Sequence, residues 1–120
     1  MNPHLLQRFA TKKPTVCAVC HRYAVWLGYP AVHRPIWLCD NNGCLAAAKK
    51  VYEMPNPALE DYERGAVLEA GEAAGAYLEE IGCTDLAALR AEQWREFLRR
   101  IVVGFEHAMR RKILNDEAPF

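Results

Sequence analysis

No apolar run in this sequence approaches the ~20 residues that a membrane-spanning helix needs, and its opening, Met1-Asn2-Pro3-His4, begins no hydrophobic leader. The expectation is a soluble, cytoplasmic chain. The short strings that announce common catalysts are also missing. There is no G-x-x-x-x-G-K-[ST] phosphate loop, no H-E-x-x-H and no G-x-S-x-G elbow. His107 has no candidate nucleophile near it in sequence, and the carboxylates around Glu60, Asp61 and Glu63 read as a solvated helix face. These absences argue against an enzyme. Net charge is missing too, with 15 basic residues against 15 acidic ones, short of the surplus of a dedicated nucleic-acid binder. Disorder is excluded by 52% hydrophobic and 25% charged residues, and 120 residues make one compact unit or two small pieces.

The zero net charge conceals a segregation. Residues 1–50 carry seven Lys or Arg against one Asp, residues 51–89 one Arg against nine acids, and residues 90–120 seven basic against five acidic groups. A basic head therefore precedes an acidic stretch and a mildly basic tail.

What the head has in abundance is cysteine. Cys17-x2-Cys20 and Cys39-x4-Cys44 lie 18 residues apart, an interval that lets two pairs fold around one tetrahedral ion. Asp40, Asn41, Asn42 and Gly43 fill the wider second gap with turn formers, so both sulfurs can still converge. Nothing else in the sequence calls for the oxidising compartment that disulfides require. The reading is one structural Zn2+ on Cys17, Cys20, Cys39 and Cys44, with His21 or His33 as substitutes for a cysteine. Cys17-Ala18-Val19-Cys20-His21 also spells a haem attachment string, with Met54 or Met109 as distal ligand, but haem leaves Cys39 and Cys44 without a role. Cys83 stands alone and reads as a packing residue.

Around the cysteines, Leu5, Leu6 and Phe9 mark a short helix, while Tyr23–Leu27 and Pro35–Leu38 read as a β-hairpin broken at Gly28, Tyr29 and Pro30. A helix follows Cys44. Knuckle, hairpin, then a helix whose first turn carries the last ligand is the order of a treble clef. Asn56 as N-cap and Pro57 at the first helical position open a helix over 57–81 that Gly82 stops. Its apolar series is Leu59, Tyr62, Ala66, Ala70, Ala73, Tyr77 and Ile81; Gly71 and Gly75 suggest close backbone packing, or simple tolerance on a surface helix. Thr84 caps a short turn, and a last helix over 91–114 buries Trp94, Phe97, Leu98, Ile101, Phe105, Ala108 and Met109. Antiparallel packing would set the basic residues of this helix against the acidic one.

The Cys17–Cys20 knuckle, with Trp37-Leu38-Cys39 ahead of a helix, resembles small treble-clef zinc domains. The stretch Ala74–Leu86, followed by Gln93–Leu98, resembles small phage and prophage proteins of unassigned function, which also place a cysteine-rich segment before a helical tail. That resemblance implies a binder that redirects or blocks host machinery. The expected fold is α+β and mostly α: a treble-clef-like zinc module, residues 1–55, packed on a C-terminal helical hairpin within residues 56–120. The expected function is a non-enzymatic, phage-encoded protein that engages a host or phage protein of nucleic-acid or defence machinery, with Glu69, Glu72 and Glu79 at the partner surface. The alternative is direct DNA or RNA binding by Arg22, Arg34, Lys49 and Lys50, interleaved with Tyr23, Trp26, Tyr29 and Trp37. Trp26 and Trp37 are read first as the module's small core.

Overall fold

Residues 16–25, 27–30 and 35–117 are described by the structure, a computed structural model. Its elements are β1 (Leu27–Tyr29), β2 (Ile36–Leu38), α1 (Asn42–Glu53), α2 (Asn56–Ile81), a 3-10 turn (Leu86–Ala88) and α3 (Ala91–Leu114). The described fold is mostly helical with one two-stranded antiparallel sheet. The chain divides into two units, one ending at Met54 and the other beginning at Pro55. The short helix expected around Leu5, Leu6 and Phe9 lies outside the described residues.

In the first unit β1 and β2 pair Leu27 with Leu38, Gly28 with Trp37 and Tyr29 with Ile36. The first strand thus runs through Gly28 and Tyr29, which the sequence marks as a break. The reason is Trp37: a Cβ on Gly28 would sit 3.0 Å from its ring, so only a bare backbone leaves room for the indole. Asn41 caps α1 by accepting from the Gly43 N–H at 2.8 Å, starting the helix inside the inter-cysteine gap rather than after it. Cys44, Ala47, Ala48 and Val51 make its buried face, and Pro55 forbids its continuation.

In the second unit extended Pro55 takes the cap position of α2, so Asn56 becomes the first helical residue instead of the cap. Gly82 ends α2 at φ 66°, a left-handed conformation cheap only for glycine, with Gly82 N–H donating to the Glu79 carbonyl and Cys83 N–H to that of Leu78. Asp85, not Thr84, caps the 3-10 turn by accepting from Ala87 N–H at 3.0 Å. Its carboxylate lies two residues before the open donor, the reach of an Asx turn.

Helices α2 and α3 pack antiparallel, Glu80 beside Arg100 at one end and Glu69 beside Arg111 at the other. Gly104 lies close against α2: a Cβ there would stand 3.2 Å from the Ala70 Cα. Gly71 and Gly75, the glycines that the sequence singles out, instead have open space where a Cβ would be. Small residues at Ala66, Ala70, Ala74 and Ala108 make the buried seam. The expected apolar stripe of α3 is corrected accordingly. Ala108 and Met109 are buried, but Trp94 and Leu98 are exposed and Phe97, Ile101 and Phe105 half-buried. An alanine seam brings the helix axes together on one flank and leaves the large side chains beside it.

Candidate metal centre

The knuckle is a tight backbone turn. Cys17 N–H donates to the Arg22 carbonyl at 2.6 Å and His21 N–H to the Cys17 carbonyl at 3.0 Å, with His21 left-handed at φ 68°. Ala18 N–H reaches the Trp37 carbonyl at 2.8 Å and Val25 N–H that of Leu38 at 3.1 Å, fastening the knuckle to β2. Cys39 leaves the end of β2, and Cys44 occupies the first turn of α1. Two short elements and two turns thus deliver one sulfur pair from each side.

All four thiols are buried, and their Sγ atoms lie within 4.8 Å of one another, Cys20 and Cys39 being 3.7 Å apart. Four metal–sulfur bonds of about 2.3 Å at tetrahedral angles would set sulfurs ~3.8 Å apart, so the cluster fits one metal ion. No two are joined in a disulfide. His21 is exposed and outside the cluster, and Asp40, next to Cys39, is exposed as well. His33 lies outside the described residues. The haem reading would need Cys17 and Cys20 for thioethers, and the cluster uses both.

Proximity couples the thiols. Hydrogen bonds from Cys20 and Cys44 drive Cys17 far below the usual thiol range, and Cys20, which gives one of those bonds to Cys17, is pushed up to about 11. One thiolate in this cluster therefore makes the next harder to form, unless a cation joins them. Cys44 lies in the first turn of α1, which holds no acidic residue and where the helix dipole favours negative charge.

Other candidate residues are dispersed. Arg22, Tyr23 and Lys49 are exposed and Lys50 is half-buried. Arg34 and Trp26 lie outside the described residues. Tyr29 is held edge-on by Tyr52, ring centres 5.9 Å apart. Glu72 and Glu79 are exposed. Glu69 is engaged within its own unit: Arg111 donates to both its oxygens at 2.6 and 2.8 Å, and Lys112 lies 3.3 Å away. The Arg111 guanidinium holds the Glu69 carboxyl below the ordinary range. Lys112 itself is buried, an outcome hidden from the sequence because a cation beside Arg110 and Arg111 reads as solvated.

The family model of DUF6511, described as a family of unknown function, matches residues 58–120. No curated protein and no solved structure matches the chain.

Proposed function

The chain belongs to DUF6511, and from that premise and the enclosed thiol cluster we propose a zinc-stabilised binding protein without catalysis of its own. Its partner is a protein of host nucleic-acid or defence machinery, which it blocks or redirects. The observation that carries the reading is the burial of all four sulfurs. Catalytic zinc keeps a coordination position for water, whereas four thiolates close the shell. Soft sulfur donors in a tetrahedral set favour zinc over harder ions, and Cys17, Cys20, Cys39 and Cys44 would hold it. The ion would contribute folding free energy to a unit with little apolar core. Partner choice among nucleic-acid proteins, and a phage setting, rest on the resemblance of Ala74–Leu86 and Gln93–Leu98. Recognition falls to exposed groups such as Glu72 and Glu79, whose charge would steer association.

Pull-down of the tagged chain from host lysate, with and without nuclease, tests the reading. A protein captured stoichiometrically after nuclease supports it. Capture that vanishes with nuclease overturns it.

One observation favours a second reading, direct nucleic-acid binding: Tyr23, 68% exposed, follows the exposed Arg22 and is open to stack on a base. Each phosphate neutralised should then contribute roughly −0.7 to −0.9 to the log–log salt slope of affinity, and Lys49→Glu with Lys50→Glu should flatten it by about two units. A protein binder would lose almost nothing to those changes.

A further inference from the structure

The hairpin leaves a question that neither metal nor partner answers. Trp94, Leu98 and Val102 recur every four residues, so they form one stripe on α3, yet they are 43%, 41% and 56% exposed. Nothing large from the N-terminal half of α3 is buried. Along α2, Val67 is 58% exposed, and Gly71 and Gly75 follow at positions four and eight with empty space where side chains would be. One helix thus shows large apolar residues with nothing to enter, and the other a smooth track with nothing upon it.

Charge selects the occupant. Helix α2 carries seven acidic residues and one basic, and α3 six basic and three acidic. If α3 met α3 of another copy, cations would crowd cations. If it met α2 of that copy, large would meet small and basic would meet acidic, twice by symmetry. The family model spans this hairpin alone, so the uncovered faces belong to the shared segment.

We propose that the chain pairs with a second copy of itself as a two-fold four-helix bundle. In it the Trp94, Leu98 and Val102 stripe of each α3 lies on the Val67, Gly71 and Gly75 face of α2 in the other copy. Two antiparallel helices cannot cover both their flanks. Two-fold pairing of hairpins supplies the missing layer, and closed two-fold dimers are the commonest assembly of identical chains.

Sedimentation equilibrium of the full zinc-loaded chain, from low micromolar to several hundred micromolar, should approach twice 13.6 kDa. Leu98→Glu should weaken pairing at least ~100-fold by burying a charge, with unchanged helical circular dichroism. Should that variant lose its helices, Val102→Lys on the same stripe replaces it. Gly71→Leu, which fills the open track on α2 with a side chain, should weaken pairing ~10-fold with unchanged helical circular dichroism. A wild-type chain that stays monomeric throughout overturns the proposal and assigns the stripe to a different protein. So does a dimer indifferent to folded Leu98 and Val102 variants, or to Gly71→Leu.

Discussion

The two units reach order by different means. The cysteine unit has two three-residue strands and one 12-residue helix, and its described core is four sulfurs with Val19, Ala24, Leu38, Ala47, Ala48 and Val51. The hairpin has helices of 26 and 24 residues and holds them by close backbone approach and ion pairs. With a metal on its sulfurs, as proposed, the first would depend on a few strong bonds at a point; the second depends on many weak contacts along a line. Loss of one contact should therefore be catastrophic in the first and graded in the second.

The largest effect should follow removal of a ligand. Cys17→Ser or Cys44→Ser, or a chelator, should abolish the fold of the first unit, because a structural zinc contributes apparent binding free energies of about 10–16 kcal/mol. Amide signals of residues 16–54 should collapse in a heteronuclear spectrum while those of α2 and α3 stay dispersed. Metal analysis should give one zinc per chain. Full dispersion without metal would erase the contrast.

The next effect sharpens it. Gly104→Val places its Cβ against the Ala70 backbone, which cannot step aside as a side chain would, and should cost about 1–3 kcal/mol. Thermal unfolding should show a lower midpoint for the hairpin and no change in metal content.

A smaller loss follows Glu69→Gln, about 1 kcal/mol after discounting for the partial exposure of Glu69 and Arg111. Its pH dependence has a definite sign. The folded carboxyl titrates below the unfolded one, so its contribution is present above the unfolded value and is lost as pH falls through the lowered folded value. In acid titrations of hairpin stability the variant and wild type should converge at the low end.

Glu96 should matter least. Arg99 and then Arg100 donate to its carboxylate and hold it at about 2, but all three are solvated, so Glu96→Ala should leave the unfolding midpoint unmoved.

The same difference explains what could be read from residues alone. The convergence of the four cysteines was legible because cysteine spacing and turn chemistry are local, and the helix ends at Gly82 and Leu114 followed from caps and periodicity. The first strand's position was not, since it depends on Trp37 crossing Gly28 from another strand. The face that α3 buries was not legible either. Periodicity marks an apolar stripe but not which flank meets the partner helix, and that flank is the one where Gly104 and the small residues Ala66, Ala70, Ala74 and Ala108 let the backbones come close. The sequence set Glu69 on a partner surface, and only the fold shows it engaged by Arg111, 42 positions on.

Lys112 offers a consequence of a practical kind. Its stem runs past Gly65, where a Cβ would stand 3.4 Å from the ammonium, and its side chain is only 10% exposed. Acylating reagents need a solvent-reached, momentarily neutral amine. Lys49 offers one in the folded chain, whereas Lys112 should react only when α2 and α3 separate. The ratio of label at these two positions, read by mass spectrometry, is thus a built-in clock for opening of the hairpin, counted without any probe attached.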